Sequence, residues 1–315
     1  MKCLVTGASG FIGANLCREL VKRGHSVVAF DFFLAQETWQ NLVDLNIPVY
    51  CGDISEPSDM ACLAKYEFNV IFHQAAIVDT LETDLHKLYK TNVVGFRNVI
   101  ALGKQVAKSG IVYASSAATY GKQEGKCVET SAQKPLNMYG WTKKLNDITA
   151  MTSIDYPIIG LKYFNVYGPG EEHKGKMKSV IGQKIDQMLN NEQPTLFHTG
   201  QQYRDWIYID DVVEANILAS KALLNNVAGV FNCGTGQAKS FIEIYESISN
   251  KIDDPPSVKW IDNPHKEQYQ SHTEADITNF KEHIGVIDYI PLDQGIKKYV
   301  LYEYKKTKDS VNRWA

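Results

Sequence analysis

Three glycines, Gly7, Gly10 and Gly13, follow directly on a strand-like run at 2–6. Beyond them, apolar residues at 12, 16, 20 and 21 have helical spacing, and Gly24 marks a natural stop. A strand, a glycine turn and a helix in that order let the backbone turn tightly and approach a pyrophosphate. The free N–H groups and partial positive charge of the helix start favour such an anion. A glycine triplet alone is weak, but here the next strand-like run, 25–30, ends at Asp31. A carboxylate at that place accepts hydrogen bonds from the hydroxyls of an adenosine ribose. The pattern predicts a dinucleotide-binding unit.

Further β-rich runs at 49–51, 70–72, 111–113 and 158–162 alternate with helical patterns near 86–107 and 138–152. Alternation of this kind requires parallel pairing through right-handed crossovers, hence an α/β fold with a doubly wound parallel (Rossmann) sheet. Past residue 165 the texture changes to a turn-rich, charged stretch at 167–176. A helix near 179–190 follows, then a strand at 206–209, a helix over 212–223 capped by Asp210 and Asp211, and a strand at 230–234. The remainder, broken at 253–256 and 263–264, reads as mixed α/β. This predicts a cofactor domain of residues 1–165 and 205–240, with a second, smaller substrate domain of residues 166–204 and 241–315.

Composition removes several classes of function. The 33 Lys and Arg against 36 Asp and Glu leave a formal charge of −3, without the basic footprint of a nucleic-acid binder. No apolar run approaches the ~20 residues that span a bilayer, so no membrane partner is expected. Six scattered cysteines form no C-x-x-C pair and eight histidines no H-x-x-x-H pattern, so no metal site is expected. The first residues run straight into the strand and glycine turn, leaving no room for a signal peptide, and a cytoplasmic protein is expected.

Asp31 also bears on the choice of cofactor. It repels a 2′-phosphate, and residues 32–37 contain no base to bind one, so NAD is favoured over NADP. Asp53, after the third strand, is open to two readings, an adenine contact or a helix N-cap. A second constellation joins Ser116, beyond the strand at 111–113, to Tyr139 and Lys143. Tyr139 and Lys143 are four residues apart and share one helix face. A lysine ammonium beside a tyrosine favours the phenolate and lowers its pKa, which suits a general acid/base working on a carbinol. A strand-end serine can hydrogen-bond the same oxygen.

These residues, together with His73-Gln74-Ala75-Ala76, Asn92 and Tyr163-Phe164-Asn165-Val166-Tyr167-Gly168-Pro169, resemble the extended short-chain dehydrogenase/reductase family, whose members act on nucleotide sugars. The resemblance implies that Ser116 and Tyr139 contact the reacting oxygen and that Lys143 binds the nicotinamide ribose. It places Gly7, Gly10, Phe11, Ile12, Gly13, Asp31, Phe32, Asp53, Ile54, Gln74, Ala75, Ala76, Asn92 and Tyr163 around the cofactor. Within the family the chain is most similar to the ADP-heptose 6-epimerases, through stretches that include His173-Lys174-Gly175 and Arg204-Asp205-Trp206. That similarity implies Lys174 as a second acid/base and Arg204 on the diphosphate, with an Arg204–Asp205 structural pair as the rival reading. It also implies Asn165 near the sugar or diphosphate, and Val180, Gln183, Phe197 and Tyr269 along the nucleotide-sugar site. Family members self-associate, so a homo-oligomer is expected.

The chain departs from this pattern in places. Phe32, Leu34 and Thr38 stand where an Asn and lysines accommodate NADP, Gln183 replaces a histidine, and Gln268 replaces an arginine. The implied activity is epimerisation of a nucleotide sugar, ADP-heptose or a relative, by transient oxidation of a carbinol. A UDP-hexose 4-epimerase and a nucleotide-sugar 4-dehydrogenase or ketoreductase are the alternatives. A dehydratase is disfavoured because Ala117-Ala118-Thr119 follows Ser116 where an Asp-Glu pair belongs. A catalytically idle NAD-binding sensor is disfavoured because Ser116, Tyr139 and Lys143 are all retained.

Overall fold

A computed structural model describes residues 1–32, 38–197, 200–262 and 272–312. Its strands are β1 Lys2–Thr6, β2 Ser26–Asp31, β3 Val49–Cys51, β4 Val70–His73, β5 Ile111–Ser116, β6 Ile158–Tyr163, β7 Asn165–Tyr167, β8 Thr195–Phe197, β9 Tyr203–Tyr208, β10 Gly229–Cys233, β11 Ala238–Ser240, β12 Lys259–Ile261 and β13 His272–Thr273. Its α-helices are α1 Phe11–Lys22, α2 Pro57–Met60, α3 Leu85–Leu88, α4 Gly95–Val106, α5 Met138–Thr152, α6 Val180–Leu189, α7 Ile209–Leu223, α8 Phe241–Ser249, α9 Thr278–His283 and α10 Leu292–Asn312.

Seven strands form one sheet in the order β10-β6-β5-β4-β1-β2-β3, and every pair in it is parallel. The order reverses between β1 and β4, which opens a crevice at their carboxyl ends. Alternate side chains feed two cores. Cys3 and Val5 of β1 and Val112 and Ala114 of β5 enter one, while Leu4, Ile111 and Tyr113 enter the other. Strands buried on both faces have this continuous apolar character.

A smaller sheet is centred on β9, which pairs with β11 antiparallel and with β7 and β13 in parallel. A third, two-stranded sheet joins β8 and β12. The expected doubly wound sheet with a smaller mixed region is therefore present. The chain crosses between the sheets several times. β9 and β11 belong to the smaller sheet, whereas β10 belongs to the large one.

Local differences have physical causes. Asp210 and Asp211 do not cap a helix; they lie in the first turn of α7, whose N-cap is Tyr208. Asp211 instead accepts the Ile290 N–H at 3.1 Å, and burial pushes its carboxyl up to about 7. The helix anticipated over 86–107 is interrupted by a π-helical turn, Tyr89–Val94, that carries Asn92. No helix among the described residues is long and apolar enough to cross a membrane.

Candidate active site

A cleft of about 440 Å³ runs over the carboxyl ends of the large sheet. Its floor is the glycine turn. Gly7 has φ +66°, and a Cβ there would stand 2.4 Å from the Ala75 nitrogen, so the turn packs against the segment after β4. A Cβ on Gly13 would meet the Gly7 carbonyl oxygen at 2.0 Å, so α1 can start this close to β1 only with glycine at that position. At the end of β2, Asp31 Oδ2 accepts both the N–H and the hydroxyl of Ser9 at 2.7 Å, and Oδ1 accepts the Phe32 N–H at 2.7 Å. A carboxylate accepts about four hydrogen bonds, so Asp31 retains capacity toward the cleft, which it lines.

Farther along the cleft, β5 ends at Ser116, and Asn137 caps α5 by accepting the Gly140 N–H at 2.8 Å. That cap starts the helix so that Tyr139 and Lys143, one turn apart, both face the cleft. Ser116 lines the cleft beside Tyr139, and its side chain favours the phenolate. Lys143 Nζ donates to the Ala114 carbonyl at 2.7 Å and lies 5.8 Å from the centre of the Tyr139 ring. The electrostatic expectation fails here. Burial dominates both groups, pushing Tyr139 up to about 12 against the effect of Ser116 and Lys143 down to about 8. Lys143 spends its charge on a carbonyl rather than on the phenol. Tyr139 is only half-buried by surface, yet its hydroxyl lies in dense surroundings.

Behind this pair lies a buried network that sequence reasoning missed. Asp147 accepts the Tyr113 hydroxyl at 2.7 Å and the Ser115 hydroxyl at 2.6 Å, and pairs with Lys162. Lys162 in turn donates to Thr119 at 2.6 Å. Asp147 favours the charged form of Lys143, opposing the effect of burial. The available signal was spacing, since Asp147 falls on the same α5 face as Tyr139 and Lys143.

Lys174 enters the same cleft from the 3-10 helical segment Glu172–Met177 that follows β7. Its Nζ lies 3.2 Å from Glu171 Oε1 and 5.0 Å over the Phe11 ring. His173, another lining residue not singled out from the sequence, has Nδ1 3.4 Å from Asn41 Nδ2, which also donates to the Ser9 carbonyl. The segment bearing Lys174 is thereby linked to the glycine turn.

A family model described as the NAD dependent epimerase/dehydratase family matches residues 3–234. The chain belongs to this family. Among solved structures, it is similar to ADP-L-glycero-D-manno-heptose-6-epimerase of Helicobacter pylori, at 33% identity over 96% of each chain and a TM-score of 0.88. It is also similar to UDP-glucuronic acid 4-epimerase of Bacillus cereus in complex with UDP-glucuronic acid and NAD, at 25% identity over 97% of this chain and 99% of that one, TM-score 0.82. UDP-glucose 4-epimerase of Thermotoga maritima matches at 25% identity over 98% and 100%, TM-score 0.85. The expected NAD-dependent enzyme of the short-chain dehydrogenase/reductase type, epimerase in class, is borne out. The cleft of this family member fits its cofactor. The glycine turn offers a close backbone approach, and Asp31 presents carboxylate where a 2′-phosphate would be repelled.

The remaining expected residues divide. Gly10, Phe11, Ile12, Phe32, Gln74, Ala76 and Tyr163 line the cleft, with the Tyr163 hydroxyl donating to Gln74 Oε1 at 3.1 Å. Ala75 packs under Gly7. Asn92 does not line the cleft; 1% exposed, it clasps the Ile77 backbone with hydrogen bonds of 2.8 and 2.9 Å and so holds the segment that follows Ala76. Ile54 is buried against Gly95. Asp53 is not a helix N-cap, since the N-cap of α2 is Glu56; its Oδ1 closes an Asx turn with the Ser55 N–H at 2.7 Å.

Asn165, Val180, Gln183, Phe197 and Arg204 lie outside this cleft, on β7, α6, β8 and β9. Gln183 donates to the Lys176 and Lys178 carbonyls. Arg204 is buried, with its guanidinium 5.7 Å from the Phe241 ring centre. The rival Arg204–Asp205 pair is not formed, because neighbours on a strand face opposite ways and Asp205 is taken by Thr235, Gly236 and Ala275. Tyr269 and Gln268 lie outside the described residues, as do 33–37. Among the described residues no group of three or more His, Cys, Asp or Glu could hold a metal ion.

Proposed function

We propose that this protein epimerises a carbinol carbon of a nucleotide sugar, with ADP-heptose as the substrate and C6 as the centre. The observation that carries the reading is the convergence of Ser116, Tyr139 and Lys174 on one cleft whose other end is the glycine turn and Asp31. Gly7, Gly10, Gly13, Asp31, Phe32, Gln74, Tyr163 and Lys143 would hold NAD, which would supply reversible hydride transfer at the carbinol carbon. Tyr139, with Ser116 beside it, removes and restores the hydroxyl proton of one epimer, and Lys174 does so for the other. Lys143 binds the nicotinamide ribose. Arg204 binds the diphosphate, and Asn165, Val180, Gln183 and Phe197, on the elements beyond the cleft, bound the rest of the substrate region.

The likeness to the heptose epimerase supports this choice, as does Lys174 in the cleft, which a UDP-hexose 4-epimerase does not call for. The 4-epimerase likenesses support the second reading, which shares Ser116, Tyr139 and Lys143. The proposal includes a cytoplasmic setting, supported by six free thiols. It also includes a homo-oligomer, supported by the exposed Trp141, Ile148 and Met151 on α5.

The test is incubation with NAD and ADP-L-glycero-D-manno-heptose, UDP-glucose or UDP-glucuronic acid in separate reactions, following sugar configuration by NMR. Formation of the C6 epimer of the heptose supports the proposal. A C4 epimer of a UDP-hexose with the heptose unchanged overturns it in favour of the second reading.

A further inference from the structure

Glu171 lies three residues before Lys174, with its side chain wholly out of solvent. Its two carboxylate oxygens are used differently. Oε1 is the Lys174 partner, at 3.2 Å. Oε2 accepts the Ser179 N–H at 3.0 Å, the Ser179 hydroxyl at 2.7 Å and the Tyr299 hydroxyl at 3.4 Å. Ser179 is the N-cap of α6, and Tyr299 belongs to α10. A Cβ on Gly182 would stand 2.9 Å from Oε2, so the carboxylate is seated tightly under the first turn of α6.

Burying a carboxylate is costly unless it is paired, and Glu171 pairs with a side chain that itself lines the cleft. A free lysine side chain samples many rotamers, so an unheld Lys174 would wander over many positions. Between Glu171 on one side and the Phe11 ring on the other, Nζ is confined at both ends of its reach.

We propose that Glu171 is a positioning residue for Lys174, anchoring that ammonium in the cleft through α6 and α10. The inference rests on reading Lys174 as the acid/base for one of the two epimers. It gives Glu171 a role in one half of the cycle only. A carboxylate that merely caps α6 affects both halves alike.

Glu171→Gln keeps an amide oxygen to accept from Ser179 and removes the charge that holds Lys174. The experiment uses full-length enzyme with NAD and, separately, each epimer of the sugar pair that the wild type interconverts. That pair is the C6 epimers of ADP-heptose or, if those are inert, the C4 epimers of UDP-glucose. Single-turnover oxidation is read from reduced-nicotinamide absorbance. Oxidation of one epimer is expected to fall roughly 10- to 100-fold, the scale of a 1 Å misplacement, while oxidation of the other stays within about twofold of wild type. Lys174→Met should impair the same epimer as Glu171→Gln. Equal slowing of both epimers, or unchanged oxidation of both while Lys174→Met is defective, overturns the positioning role and leaves the reading of Lys174 intact. Full activity of Lys174→Met overturns that reading and the positioning role with it.

Discussion

Lys143 Nζ lies 5.8 Å from the centre of the Tyr139 ring and gives its hydrogen bond to the Ala114 carbonyl at 2.7 Å. The two side chains share a helix face and a cleft, but the lysine is anchored to β5 rather than to the phenol. Burial costs its charge enough to bring it down to about 8.

That anchoring has a consequence for stability. The folded state depresses the Lys143 pKa from 10.5 to about 8, so ordering the ammonium destabilises the fold by about 3 kcal/mol below pH 8. The penalty fades as pH rises from about 8 to 10.5, where the folded protein has released the proton and the unfolded chain has not. Lys143→Met without cofactor should therefore be more stable than wild type at pH 7. Loss of the Ala114 hydrogen bond offsets about 1 kcal/mol of this. Urea unfolding across pH checks it, and the difference should shrink between pH 8 and 10.5.

Asp147→Asn should act in the opposite direction. It leaves the Lys162 ammonium, 0% exposed, without its carboxylate. Removal of one partner from a buried pair typically costs about 3–5 kcal/mol. Denaturant titration at pH 7 should show a loss of that size, and an unchanged midpoint would mean that the pair is not buried as described.

Asp31→Asn tests cofactor choice. The change keeps one acceptor oxygen, enough for Ser9 or for Phe32 but not both, and removes the negative charge facing the cleft. Calorimetric titration should show NAD binding weakened by roughly tenfold, about 1.4 kcal/mol, through the loss of charge-assisted bonds to the ribose. NADP binding should improve relative to NAD. A preference unaltered by the substitution would remove Asp31 as the discriminating group.

Legibility followed the reach of each interaction along the chain. Gly7, Gly10, Gly13 and Asp31 were readable because their work is local: a turn, a helix start and a strand end. Ser116, Tyr139 and Lys143 were readable because helical spacing and a strand end bring them together. Asp147 and Glu171 were not, since their meaning lies in Tyr113, Ser115, Lys162 and Tyr299, which only the tertiary fold delivers. Asn92 was placed at the cofactor although its partners, Ile77 and Thr142, make it a clasp behind the cleft wall. The mutual effect of Tyr139 and Lys143 was misjudged because desolvation depends on burial, which spacing does not report. Exchange of β9 and β11 into the smaller sheet likewise depends on long-range pairing.

The central claim is that Tyr139 and Lys174 serve opposite epimers, and half-reactions test it most directly. Tyr139→Phe and Lys174→Met, each loaded with NAD, are mixed with each epimer of the sugar separately, and reduced nicotinamide is followed in a single turnover. The account predicts complementary defects, with each variant losing about 100-fold or more on one epimer and remaining near wild type on the other. Loss of both half-reactions in Tyr139→Phe, with wild-type rates on both epimers in Lys174→Met, would contradict it.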